Sequence, residues 1–221
     1  HARRGVNAKT GAMVQVYILA GGRDPVRAHR SGADAAVCGD CIHRQGSCYV
    51  RLDQGVLQVW RAYQRGRYRH ASLQVARAAL AGLPVRLGTY GDPAAVPTVV
   101  WQTVLAQSAT HTGYTHQWRT CDQTLAHWCM ASCDTADETA QARAAGWRTF
   151  TVVPVGAESG PDRAILCPAS EQAGRLLHCI DCKACDGRAG GRTAHVWIPV
   201  HGVAHKQARF EQLITIGHAP C

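Results

Sequence analysis

Seven of the eleven cysteines in this 221-residue chain fall into two tight groups. The first is Cys38-Gly-Asp-Cys41-Ile-His-Arg-Gln-Gly-Ser-Cys48, a C-x2-C-x6-C loop. The second is Cys167 followed by Cys179-Ile-Asp-Cys182-Lys-Ala-Cys185, which ends in C-x2-C-x2-C. Spacings this close limit what the chain can fold into, because each group must sit on a short irregular loop. Disulfide frameworks belong mostly to small secreted domains that cannot build a core. Here 46% of the residues are apolar and only 18% are charged, enough for one large domain with its own core. The cysteine number is odd, and no basic-then-apolar signal stretch opens the sequence. Metal binding in a reducing compartment is the expectation.

The chemistry differs between the two groups. A C-x2-C-x2-C run can wrap a cubane so that three thiolates reach three irons, with the fourth ligand supplied from elsewhere. Cys167 is the nearest candidate, and Pro168 stiffens its turn. Zinc is the alternative, since Cys182-x2-Cys185 is also a zinc half-site that His178 or His195 would complete. In the first group three cysteines have no local fourth. Either an iron stays open to a small molecule such as S-adenosylmethionine, or Cys121, Cys129 or Cys133 closes the site; spacing leaves both open. Gly39 and Gly46 permit the tight loop, and Tyr49 follows the last cysteine.

Net charge is +9, and of 24 basic residues only Lys9, Lys183 and Lys206 are lysine. Arg61, Arg65, Arg67 and Arg69 interleave with Tyr63 and Tyr68, a pattern that suits either a solvated helix end or a nucleic-acid backbone. No apolar run is long enough to span a bilayer. A cytoplasmic protein without a membrane partner is expected.

Strand-like runs appear at Met13–Leu19, Pro84–Thr89, His111–Trp118, His127–Cys133, Arg148–Val153, Ala164–Cys167 and Thr193–Val200. Helical spacing appears over Gln54–Arg65 and from Ser72 to Leu80, and another helix opens near Pro97. Thr135-Ala-Asp-Glu138 reads as a capping box, with Asp134, Asp137 and Glu138 as helix-start acids. Alternation along strand 127–133 puts Cys129, Ala131 and Cys133 on one face, as core. The order argues for an α/β fold with mostly parallel strands. In such folds the loops after strand C-termini carry the chemistry.

Taken together, several features resemble a group of phage-encoded cysteine-rich proteins that are similar to radical-SAM enzymes. They are Asn7-Ala-Lys-Thr-Gly11, Gly-Ser-Cys48-Tyr49, the Gly91-Asp92 turn, Asp134-Thr135-Ala-Asp-Glu138, and Cys167-Pro168 leading to Cys179-x2-Cys182-x2-Cys185. The resemblance runs from about Asn7 to Gly202. It implies a partial (β/α)6 TIM-like barrel over residues 1–160, with residues 161–221 completing it as a cysteine-rich cluster-binding segment. It implies a [4Fe-4S] cluster on Cys38, Cys41 and Cys48 that cleaves S-adenosylmethionine. Gly91, Asp92 and Tyr49 would lie near that cofactor. Cys167, Cys179, Cys182 and Cys185 would hold an auxiliary [4Fe-4S] cluster. A small-molecule or nucleic-acid substrate, a reductant protein of the host and a location in the host cytoplasm complete the expectation. The usual radical-SAM loop is C-x3-C-x2-C with an aromatic residue before the last cysteine; here the spacing is C-x2-C-x6-C, and Tyr49 comes after. Two other readings stand beside it: a non-catalytic iron–sulfur protein that transfers electrons or binds nucleic acid, and a zinc-stabilised structural domain.

Overall fold

A computed structural model describes residues 9–174 and 177–216. Asn7, Ala8 and Cys221 lie outside these. The first strand, β1 (Val14–Tyr17), runs into the first cysteine loop, which holds the short helices α1 (Pro25–Arg30) and α2 (Ala35–Cys38). Helices α3 (Leu57–Gln64) and α4 (Leu73–Leu80) return the chain to β2 (Pro84–Tyr90). Helix α5 (Thr98–Leu105) leads to β3 (Thr110–Thr112) and β4 (Tyr114–Thr115), and then to β5 (Met130–Cys133). After α6 (Ala136–Ala144) come β6 (Thr149–Val153), β7 (Ala164–Leu166), the single turn α7 (Cys179–Cys182), β8 (His195–Pro199) and α8 (Ala204–Ile216).

Every strand pairing is parallel. One sheet has the order β1-β2-β3 and the other β4-β5-β6-β8-β7. Gly113 alone separates β3 from β4, and its carbonyl accepts from Met130 N, so the two sheets meet at one residue. The strand expected over His111–Trp118 therefore breaks at Gly113 and ends at Thr115. A Cβ at Gly113 would come within 2.7 Å of Cys129 Sγ and 3.0 Å of Leu87, which leaves no room for a side chain in the strand.

The two faces of the sheet are covered differently. Val85, Leu87, Cys129, Ala131 and Cys133 point to one face, where they meet Trp101, Val104 and Leu105 of α5, Ala142 of α6, and Trp118 and Trp147. The partly buried Ala76 and Leu80 of α4 join them. Met130, Val196 and Ile198, with Tyr114, Phe150 and Val152 beside them, point to the other face, where they meet Cys167, Ala169, Ala184 and Cys185. The alternation expected for Cys129, Ala131 and Cys133 is present, and all three are fully buried. Helices thus pack on one face and the cysteine-rich segment on the other.

Local chemistry explains the helix ends. Ser72 caps α4 by accepting from Val75 N at 3.3 Å. Thr135 Oγ1 accepts from Glu138 N at 3.1 Å. The reciprocal bond of the capping box is displaced by one residue, because Glu138 Oε2 accepts from Asp134 N at 2.8 Å rather than from the cap itself. Replacing Thr135 by Ala should remove about 1 kcal/mol of stability, read as a lower urea midpoint with unchanged slope.

His195 opens β8 with its Nδ1 accepting from Thr149 N at 3.0 Å, so the ring is held neutral. Burial, then the charges of Arg143 and Arg148, push its pKa down to about 4. An unfolded chain protonates histidine near pH ~6.5. The stability that His195 contributes is therefore present above that pH and is lost as pH falls through the window down to about 4. An NMR titration should show the His195 ring still neutral at pH 5; a midpoint near 6.5 would contradict this arrangement.

Candidate metal centre

The four cysteines of the second set come together. Cys167 follows β7, Cys179 and Cys182 bound α7, and Cys185 lies three residues on. All four belong to one apolar cluster. The charges of Cys167, Cys179 and Cys182 are felt at Cys185, and those of Cys167 and Cys182 at Cys179. Burial is the main cause that pushes the Cys167, Cys179 and Cys185 thiols up, and their proximity adds to it at Cys179 and Cys185. The Tyr114 side chain hydrogen-bonds Cys185, and its ring lies 4.7 Å from Phe150.

Irregular loops must find donors for their carbonyls outside the loop. Here one guanidinium does most of this. Arg148 Nη2 donates to Ala184 O at 2.6 Å and Ala194 O at 2.7 Å, and Nη1 donates to Gly187 O and to Asp186 Oδ1, the latter at 2.7 Å. Arg148 and Asp186 are both only 5% exposed. Asp186 also receives Arg192 Nη1 at 3.1 Å, and Gly113 N donates to Cys185 O at 3.2 Å. At the other end Cys179 N donates to Lys9 O and Ile180 N to Thr10 O, which ties the turn to the start of the described chain.

The first set lies past the C-terminal ends of β1 and β2. Cys38 borders a cluster of Val37, Val56 and Tyr90, with Tyr17 and Ile18 alongside. Burial raises Cys38 to about 12, with Asp34 and Cys48 adding to it. Cys41 is raised by burial, with Cys48, Asp134 and Cys38 adding to it. A second arginine holds this loop: Arg44 reaches Asp34 Oδ1 at 2.7 Å, Gly39 O at 2.9 Å and Gly32 O at 2.9 Å. From α8, Lys206 Nζ donates to Cys48 O. Gly39 has φ +59°, and a Cβ there would run into the Gln117 side chain.

Among the residues expected beside a cofactor, Gly91 is packed against Ile18 at φ +80°. Both Asp92 carboxylate oxygens are engaged, accepting from Ala94 N and His116 N at 2.9 Å each. Tyr49 is 53% exposed, and its hydroxyl accepts from Arg86 Nη2 at 2.9 Å. Burial opposes the charge of Arg86, but Tyr49, Tyr114 and Cys179 around it outweigh that and raise its pKa. Arg86 thus stands between the end of the first loop and the second set. Arg61, Arg65, Arg67 and Arg69 are exposed at and beyond the end of α3. Cys121, Cys129 and Cys133 do not group with the first set; Cys129 and Cys133 are core.

One constellation has no motif in the sequence. His43, His116 and Asp134 bring one ligand-type atom each to within 4.8 Å of one another, and no group of three cysteines does so among the described residues. Asp134, read as a helix-start acid, instead accepts from the His43 ring. Position alone was the available signal, since His116 and Asp134 each directly follow a parallel strand.

Replacing Arg148 by Met should cost about 3–5 kcal/mol, because buried Asp186 keeps only Arg192 as a partner and the Ala184, Gly187 and Ala194 carbonyls lose their Arg148 donor. Urea unfolding of the full chain measures it, and a loss below 1 kcal/mol would show that the second loop is held in another way. Searches against known families, curated proteins and solved structures find no match to this chain.

Proposed function

We propose that this chain is an iron–sulfur protein with two four-iron sites on a partial (β/α) barrel, and that it acts as a radical-SAM-like enzyme. The observation that carries the iron–sulfur reading is the convergence of Cys167, Cys179, Cys182 and Cys185 in one buried cluster. The C-x2-C-x2-C run of Cys179, Cys182 and Cys185 favours iron over zinc, because three thiolates so spaced suit the separate irons of a cubane.

The barrel reading is supported by the strand order, which follows the chain from β1 to β6, and by α4, α5 and α6 sharing one face. A sheet wound in one direction with helices on one side curls toward a barrel, unlike a doubly wound sheet. The first cysteine loop leaves the C-terminal end of β1, the side on which such folds place their chemistry. A cluster there would supply the electron that cleaves S-adenosylmethionine. Around it Arg44 fixes the loop, α8 closes over Cys48, and Tyr49 presents an exposed ring. At the second set the Tyr114 hydrogen bond to Cys185 and the nearby Arg86 charge both favour the reduced form of a bound cluster.

Anaerobically prepared protein should carry about eight irons with matching sulfide. Cys182→Ala and Cys41→Ala should each remove about half. One or two zincs with little iron would overturn the iron–sulfur reading. With both sites loaded and dithionite present, 5′-deoxyadenosine should form; its absence, with no change in the EPR signal on adding S-adenosylmethionine, would leave an iron–sulfur protein without this enzymatic activity.

A further inference from the structure

We propose that His43, His116 and Asp134 form a mononuclear site for a divalent transition-metal ion, adjoining the first cysteine loop but with no cysteine among its ligands. The three side chains come from three places in the chain. His43 lies in the 3-10 turn Ile42–Gln45 inside the first cysteine loop, His116 follows β4, and Asp134 follows β5. Their ligand atoms lie within 4.8 Å of one another. His43 Nε2 and Asp134 Oδ2 are 2.9 Å apart. Two donors at right angles about 2.1 Å from one ion stand about 3 Å apart, so this pair already has the spacing of neighbouring ligands. An ion entering there takes the place of the proton they share.

Two further observations point to a ligand. Asp134 Oδ1 is buried without a hydrogen-bond partner, while the Asp134 side chain as a whole is only 5% exposed. Burying a carboxylate oxygen unpaired is costly, and a cation is the partner it lacks. His43 also has a support that fixes its aim, as in established metal sites, and the backbones that carry the other two ligands are held. His43 Nδ1 lies 2.7 Å from Ser47 Oγ, which turns Nε2 toward Asp134. The Phe210 ring stacks on His43 at 5.6 Å. Asp92 Oδ2 holds His116 N, and Glu138 Oε2 holds Asp134 N.

The donor set decides the class of ion. Two imidazoles and one carboxylate suit iron(II), cobalt(II) or zinc, not calcium or a soft thiolate-seeking ion. Three protein ligands leave coordination positions open, as in sites that bind and activate a small molecule and unlike closed structural sites. The site stands at the C-terminal ends of two parallel strands, beside Cys41. Its ligands are not cysteines, so it does not depend on the iron–sulfur reading.

Cobalt(II) is the probe. The full chain, with its cysteines first loaded anaerobically with iron and sulfide, is dialysed against cobalt, and both metals are counted. One retained cobalt per chain, unchanged iron and hyperfine-shifted proton NMR signals from two imidazoles are expected. His116→Gln and Asp134→Asn should each weaken cobalt binding at least tenfold while iron stays constant. Ser47→Ala keeps all three ligands and should weaken it about tenfold through the lost support. No retained cobalt in the wild type, cobalt that displaces iron, or undiminished binding in a folded His116→Gln variant would each overturn the proposal. Chain that takes up no iron yet holds one cobalt on two imidazoles would reject the iron–sulfur reading and leave this site standing.

Discussion

Carbonyls without donors are the constraint around which this structure is arranged. The two cysteine loops hold only short turns of helix, so many of their backbone oxygens must be satisfied from outside. Arg148 and Arg44 do this for the two loops. Each spreads one rigid fork over carbonyls and a buried aspartate, a geometry that lysine, a point charge on a flexible stem, does not reproduce. Asp186 keeps Arg148 from being buried unpaired, and buried Asp34 is in turn paired by the partly exposed Arg44. The arginine-rich composition thus has a structural use inside the fold as well as on its surface.

Energetically the two faces of the sheet are unequal. The helix-covered face buries Trp101, Trp118 and Trp147 with several leucines and valines. At roughly 1.5–3 kcal/mol for each large apolar side chain, this face supplies most of the hydrophobic stabilisation. The opposite face rests on Met130, Val196, Ile198 and small or cysteine side chains. Its order depends more on hydrogen bonds to Arg148.

Much of the scaffold was legible in the sequence, because local physics wrote it there. β-branched runs marked β1, β2 and β6, and the hydroxyl caps at Ser72 and Thr135 marked α4 and α6. Helix α8 (Ala204–Ile216) carries no such mark, since its first turn has no acidic residue and its last turn no basic one. Helix α1 was missed, although Asp24 caps it and Pro25 opens it. The cysteine sets were legible as spacings, and Cys167 packs in the same apolar cluster that Cys179, Cys182 and Cys185 border or join. The group of His43, His116 and Asp134 was not, because its members are distant in sequence and meet only when β4 and β5 lie side by side. The roles of Asp92 and Tyr49 were equally hidden: Asp92 uses its carboxylate on backbone donors, and Tyr49 turns to Arg86.

Arg86 has a consequence for electrical asymmetry. Its guanidinium donates to exposed Tyr49 and feels the electrostatic influence of Tyr114 and Cys179. A fixed positive charge lowers the energy of any negative charge placed beside it. The strand that carries Arg86 therefore gives the surroundings of Cys179 and Tyr114 a built-in electrical polarity that neutral side chains would not supply.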